Sequence, residues 1–560
     1  MFVDDAHRLD DMSATVVCQL ASGGDAFVIA TVRSEAQAPD AVVALWKDEI
    51  AERVELRPLP ASSVEDLLST VLGGNIDAGT LRRFTEVSGG NPMFLRELVL
   101  AACENQLLRK ENGLWRLVGP LAVSSRLVEI VTARLTRLEA PERAALEVIA
   151  YGEPLGLGVL ETCFGRDVLH ALEEADLVTV ARDGRRLQVS LAHPLYGEVM
   201  RSLVPAMRAR AVNRELTDML ASCGVRRRDD VLRMGTWLLE GGGPPEAGLL
   251  LAAAQAARGR GDLGLARRLA EASLGAGGGF DAGLLVAQLQ LLCGQPEQAE
   301  RSLTALVDEV TSDAERVALT TTLVDTLAFG LGRHGDALQL ALDTERQLNA
   351  GDARDQIIAK RAELLHLAGA TESALEALAP ILHRSKGRAV AQVAPVAGLC
   401  LVLLGRLTEA IEVSARGHAA HLANEGLPLT FASYLPLIVQ GVALGHAGRL
   451  AEADALARWG YEQALADNSL EARAVFAELA SWVSFLHGQP TTAQRYAAEA
   501  TALHRQLGWS PFVRFALANL AQSLAVQGAA DDARRVITEL DGLGIPDTDI
   551  SGGLIVQARA

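Results

Sequence analysis

Two adjacent carboxylates, Asp4 and Asp5, stand directly behind the apolar run Met1-Phe2-Val3 and ahead of His7, Asp10 and Asp11. An apolar strand that ends in Asp-Asp is the Mg²⁺-holding edge of a phosphate-loop nucleotide site, the Walker B element. In a complete site the first acid, here Asp4, holds Mg²⁺, usually through water. The second, Asp5, orients or deprotonates the attacking water. A second apolar run, Phe27-Val28-Ile29-Ala30, continues into Thr31-Val32-Arg33. If the two strands are adjacent and parallel, Arg33 lies on the same sheet edge as the acids, where a γ-phosphate is sensed. The plainer reading is a solvated Asp pair and a surface arginine.

The loop that would cradle the phosphates needs Gly-x₄-Gly-Lys-Ser/Thr. Lysine occurs only at Lys47, Lys110, Lys360 and Lys386, followed by Asp48, Glu111, Arg361 and Gly387, so none fits. The sequence therefore reads as opening inside an ATPase domain. By itself it is expected neither to bind nor to hydrolyse ATP appreciably. Other candidates carry less. His418 and His421 have a zinc-compatible spacing on a helix but no nearby cysteine or acidic pair, which favours a solvated face. Arg226-Arg227-Arg228 runs into Asp229-Asp230 and reads as a solvated helix end. His193, in Leu191-Ala192-His193-Pro194-Leu195-Tyr196, is more often structural when taken alone.

The elements that must position these residues change character along the chain. Residues 1–60 alternate apolar runs (Met1–Val3, Phe27–Ala30, Val54–Leu56) with a helix over Ser13–Leu20, the pattern of a parallel sheet covered on both faces. Residues 61–123 turn helical, with Ser62-Ser63-Val64-Glu65 as a capping box and Pro92 opening a helix after Gly89-Gly90-Asn91. Residues 124–200 combine apolar helices with two β-prone runs around Asp183-Gly184, a hairpin signal, and read as a winged-helix domain. Residues 201–245 read as a helical linker.

From 246 to 560 the sequence repeats. Gly and Ala recur five apart at 261/266, 294/299, 332/337, 369/374, 405/410, 448/453, 488/493 and 528/533, with glycine intervals of 33, 38, 37, 36, 43, 40 and 40 residues. Such a pair is commonplace in a chain with 51 glycines; the regular spacing is what counts. Glycine ends one helix in a left-handed turn, and alanine lets the next pack closely on its partner. This is the pattern of a tetratricopeptide-like array of helical hairpins.

Composition agrees with a mainly α protein: 49% apolar, 22% charged and only 4% aromatic residues. A net charge of −18 argues against a large nucleic-acid surface, which needs clustered Lys and Arg. Six cysteines are scattered singly, with no Cys-x-x-Cys, and read as buried free thiols. Asp4, Asp5 and Asp10 occupy the place of a signal-peptide core. Val393–Leu404 is too short to span a bilayer, so the expectation is a cytoplasmic protein with no membrane partner.

Taken in order, Phe2-Val3-Asp4-Asp5-Ala6-His7-Arg8-Leu9-Asp10, Ile29-Ala30-Thr31-Val32-Arg33, Gly89-Gly90-Asn91-Pro92-Met93-Phe94-Leu95-Arg96-Glu97-Leu98 and His193-Pro194-Leu195-Tyr196, with repeats behind them, resemble the large ATP-binding LuxR-type (MalT-like) regulators of the signal-transduction ATPase class. The resemblance implies a partial phosphate-loop ATPase core with a helical lid, a winged helix and a repeat solenoid. It implies ATP or ADP with Mg²⁺ as cofactors of the full-length family, Asp4 as the Mg²⁺ acid, Asp5 as the hydrolytic acid and Arg33 as the sensor. Pro92 would contact the adenine and His193 the β-phosphate in the resting state. A protein or small-molecule inducer would act on the repeats, with self-association. DNA would be bound through a C-terminal helix-turn-helix whose basic pattern is not found after Ala533. The expectation is thus a piece of an ATP-switched transcriptional regulator. The competing reading is a helical-repeat scaffold for proteins or peptides with a vestigial ATPase remnant.

Overall fold

The computed structural model describes residues 1–543 apart from 34–36, 112–113, 120, 122–124, 137, 184–185, 224–227, 384–387, 424–430, 468 and 508–509. Arg226 and Arg227, and the Asp-Gly turn beyond Asp183, lie outside the described residues.

The N-terminal piece is small. Strand β1 (Phe2–Val3) pairs in parallel with β2 (Ile29–Ala30), and α1 (Asp11–Ser22) and α2 (Asp40–Lys47) pack beside them. Helix α1 starts where Asp10 accepts the Ser13 N–H. A little core forms from Ala6, Ala14 and Val42. The third strand expected at Val54–Leu56 is not formed: Val54 is 70% and Leu56 93% exposed. It pairs with neither β1 nor β2, and residues 52–60 carry no regular secondary structure.

Residues 61–241 build one larger core. Helix α3 (Ala61–Leu72), β3 (Asn75–Ile76), α4 (Ala78–Ser88), α5 (Pro92–Glu104), β4 (Leu108–Glu111) and β5 (Leu114–Leu117) come first. Strand β5 pairs in parallel with β3 and antiparallel with β4, a small sheet the sequence pattern had not announced. Helix α3 begins at Ala61 after Pro60 and has no side-chain cap, so the capping box expected at Ser62–Glu65 is not used. Proline had already set the entry, and Ser62 falls inside the first turn.

Next come α6 (Ser125–Leu135), α7 (Ala140–Gly152), β6 (Leu155–Gly156), α8 (Leu157–Phe164), α9 (Arg166–Glu174), β7 (Val178–Asp183), β8 (Arg186–Leu191) and α10 (Pro194–Leu203). The hairpin β7–β8 closes in register Asp183↔Arg186, and β6 adds to its other edge. Residues 201–245 do more than link. Helices α11 (Ala206–Cys223) and α12 (Arg228–Gly241) bring Val212, Leu216, Met219 and Trp237 into the same core as Phe84, Leu98 and Ile149. Gly152 makes that possible, because a Cβ there would lie 2.5 Å from Leu216.

Eight antiparallel helical hairpins follow: α13/α14 (Ala247–Gly259, Leu263–Gly275), α15/α16 (Gly279–Leu292, Pro296–Ala305), α17/α18 (Asp313–Asp325, His334–Gln347) and α19/α20 (Asp352–Leu367, Thr371–His383), then α21/α22 (Arg388–Leu403, Leu407–Ala423), α23/α24 (Phe431–His446, Leu450–Ala466), α25/α26 (Leu470–Leu486, Pro490–Gln506) and α27/α28 (Ser510–Val526, Ala530–Gly542). Every glycine of the repeat phrase has a positive φ, between +68° and +81°. Every partnered alanine is at most 4% exposed. The first helices of successive hairpins touch one another along the array, the arrangement of a helical-repeat solenoid. Among the described residues no helix is long and apolar enough to cross a membrane.

Two surface expectations are corrected. Cys103, Cys163 and Cys293 are exposed, Cys18 is half-buried, and among the cysteines whose burial is described only Cys400 is buried; an apolar neighbour in sequence does not fix which face of a helix a residue takes. His421 is buried at 9% exposure instead of facing solvent, because α22 presents Ser414, Gly417 and His421 to its neighbours. No cluster of three or more His, Cys, Asp or Glu suited to a metal occurs among the described residues.

Candidate functional site

Because β1 and β2 are parallel and in register Val3↔Ala30, the residues just beyond each strand meet at one end of the sheet. Asp4 Oδ1 accepts the Thr31 hydroxyl proton at 2.6 Å, and Thr31 Oγ1 accepts the Asp5 N–H at 2.8 Å. The Ala6 N–H donates to the Thr31 carbonyl at 2.7 Å. Thr31 thus fixes the separation of the two acids. Asp5 adopts a left-handed conformation, φ 52° and ψ 44°, which costs a non-glycine residue roughly 1 kcal/mol. That turn carries its carboxylate toward three cationic or ionisable groups: Arg8 Nη1 at 3.8 Å, Arg33 Nε at 3.9 Å and His7 Nδ1 at 3.9 Å. These distances exceed those of hydrogen bonds, so the carboxylate and the Arg33 guanidinium keep donor and acceptor capacity for another group. The sequence reading therefore placed Asp4, Asp5 and Arg33 together, and the strand pairing does so. It missed Thr31 as a site residue, whose hydroxyl bridges them; a threonine directly after β2 was the available signal.

The second constellation lies at the junction of α4, α5 and α10. Asn91 accepts the N–H groups of Met93 (2.9 Å) and Phe94 (3.3 Å), which starts α5 with Pro92 exposed in its first turn. His193 caps α10: its Nδ1 accepts the Leu195 N–H at 3.1 Å, and its ring also hydrogen-bonds the Ser88 backbone. Phe94 meets the imidazole edge-on, with ring centroids 4.9 Å apart. Gly89 is required there: its φ is +57°, and a Cβ would lie 3.0 Å from His193 Nε2. Burial lowers the His193 pKa from its usual value, against the smaller opposing effect of the Ser88 hydrogen bond. Burial thus favours the neutral imidazole, and because Nδ1 accepts from Leu195, the neutral ring carries its proton on Nε2. In this structure Nδ1 is engaged with Leu195 and the ring interacts with the Ser88 backbone, so His193 would reach a phosphate only by giving up one of these contacts. Among the described residues no hydrogen bond or ion pair joins Asp4, Asp5 or Arg33 to Pro92 or His193.

Two carboxylates and a guanidinium beyond the C-terminal ends of parallel strands suit a hydrated Mg²⁺ and the anion it accompanies. Mg²⁺ is usually held by one or two carboxylates, with phosphate oxygens and water completing the shell.

No protein-family model matches the chain, and no curated protein matches it. Solved structures that it resembles include a Signal Transduction ATPase with Numerous Domains (STAND) protein with a tetratricopeptide repeat sensor from Pyrococcus horikoshii, at 13% identity and TM-score 0.35, covering 97% of this chain and 80% of that one. A tetratricopeptide repeat protein from Parabacteroides merdae has 13% identity and TM-score 0.34, over 50% of this chain and 99% of that one. A Rap protein complexed with Competence and Sporulation Factor has 12% identity and TM-score 0.38, over 61% and 94%. The eight hairpins, not these likenesses, establish the helical-repeat fold.

Proposed function

We propose that this chain belongs to a nucleotide-switched signal-transduction regulator of the LuxR-type, MalT-like kind. In this reading residues 1–47 supply the acid and sensor edge of a nucleotide site, residues 61–200 a lid and winged helix, and the repeats receive a protein or small-molecule inducer. One observation carries it: the parallel β1–β2 pair that gathers Asp4, Asp5, Thr31 and Arg33 at a single sheet end. Asp4 would hold Mg²⁺, which neutralises phosphate charge when bound. Asp5 would orient water, and Arg33 would contact the terminal phosphate. Pro92, exposed at the lid turn, and His193 would face the nucleotide from the other side.

The second reading, a repeat scaffold that binds a protein or peptide, is favoured by the absence of any Gly-x₄-Gly-Lys-Ser/Thr among the 560 residues. The two separate in the native host. Chromosomal Asp4→Ala, Asp5→Asn and Arg33→Ala are each expected to change the transcript levels of one small, shared set of genes, with unchanged protein abundance. Transcript profiles identical to the parent for all three would end the regulator reading and leave the scaffold.

A further inference from the structure

The first turn of α25 touches three parts of the molecule that are far apart in sequence. Leu470 seats on the first repeat: a Cβ placed on Gly261 would lie 2.4 Å from the Leu470 Cβ. Leu263 and Leu470 pack together with Ala474, Leu503 and Leu507. Next along the helix, Glu471 is attracted to Arg258 at the end of α13, and burial opposes ionisation of both. Two residues on, Arg473 reaches across to the lid. Its Nη2 donates to Asp77 Oδ1 at 3.2 Å, and its Nε lies 3.2 Å from Glu499 Oε1. Asp77 is 3%, Arg473 9% and Glu499 3% exposed, and Tyr461 donates to Glu499 at 2.8 Å.

Further contacts surround that cluster. Arg116 donates to the Ala502 carbonyl at 3.1 Å and to Gln506 at 2.5 Å, Arg82 donates to the Leu465 carbonyl, and Leu114 packs against Ala497 and Ala498. The array therefore closes on its own first hairpin, and the same helical turn holds the lid.

We infer that the first turn of α25 is a coupling element: opening the array between α13/α14 and α25 also releases the lid from α24–α26. The physical reason is rigidity. Leu470, Glu471 and Arg473 lie on about one turn of a single helix, so neither contact can shift without displacing the other. Asp77 also caps α4 through the Gly79 and Thr80 N–H groups, so loss of Arg473 leaves a buried acid that still holds a lid helix. This inference does not depend on nucleotide binding.

The test is hydrogen exchange of the full chain carrying Gly261→Leu, which wedges the first hairpin away from Leu470. Amides of residues 78–84 and 114–117, which do not touch Gly261, are expected to exchange about tenfold faster or more, along with those of 247–275. Leu470→Ala and Glu471→Gln are milder openings of the same contact and should shift the same lid amides in the same direction. They decide the matter if Gly261→Leu loses its helical circular dichroism. Deprotection confined to 247–275 and 470–486, with the lid unchanged in the folded variants, would overturn the coupling.

Discussion

The N-terminal piece and the repeats solve opposite problems with the same chain. Residues 1–47 hold the candidate-site residues Asp4, Asp5 and Arg33 over a small core in which, among the described residues, Ala6, Ala14, Val17, Val42 and Leu45 are buried, and leave Phe2 65%, Phe27 82% and Ile29 53% exposed. The repeats bury an alanine in every hairpin and large side chains such as Phe476 completely. A two-stranded sheet has two open edges, and α1 and α2 leave Phe2, Phe27 and Ile29 uncovered. A hairpin array needs only the next hairpin, so its stability accumulates along the chain. The candidate site sits where packing is thin, and the dense packing lies in the repeats.

One substitution made in both regions gives the largest contrast. Phe476→Ala removes a fully buried ring that also edges Tyr434, and should cost about 3–5 kcal/mol by denaturant unfolding followed through helical circular dichroism. Phe27→Ala removes a ring that already faces solvent and should move stability by no more than about 0.5 kcal/mol. Comparable losses would mean that the N-terminal apolar face is covered in solution.

Arginines sharpen the comparison. Arg473→Ala leaves Asp77 and Glu499 buried without their cation and should cost about 3–5 kcal/mol in the same measurement. Arg33→Ala loses a 3.9 Å contact between exposed groups and should cost less than about 1 kcal/mol.

What was legible in the sequence follows the range of the forces involved. The Gly-x₄-Ala phrase could be read because both its requirements, a left-handed helix end and close helix approach, are met within one hairpin. The Asp183-Gly184 hairpin and the Pro92 helix start were local in the same way. The meeting of Asp4, Asp5 and Arg33 needed only two parallel strands.

Signals that depend on distant partners failed or stayed silent. Val54–Leu56 has β-prone residues but no neighbouring strand, so it is not a strand. Asp77 and Arg473 are 396 residues apart, and an arginine inside the apolar run Ala472–Ala477 announced only that some acid must face it. The helices of 201–241 looked like a linker because the Gly152 notch that receives Leu216 lies in another segment.

A smaller effect should appear with pH. His193 has a folded-state pKa below its usual value, so the unfolded chain binds its proton first as pH falls. Its contribution is present above about pH 6.5 and is lost as the pH drops through the lowered folded value. Protonating Nδ1 also sets two N–H groups against each other at Leu195. Amide exchange at residues 88–91 and 195–199, corrected for intrinsic rates, should therefore accelerate on acidification, and His193→Gln should flatten that dependence. His366, His421 and His446 are shifted in the same direction by burial, so the difference between variant and parent, not the parent profile, isolates His193.

The contrast between a thinly packed edge that carries the candidate site and a cooperative repeat array is tested most directly by native-state hydrogen exchange across the whole chain. The account predicts rapid exchange over residues 1–59 and the slowest exchange within residues 299–493. If residues 1–59 prove the best protected, they possess a core that Ala6, Ala14, Val17, Val42 and Leu45 do not supply, and the account is contradicted.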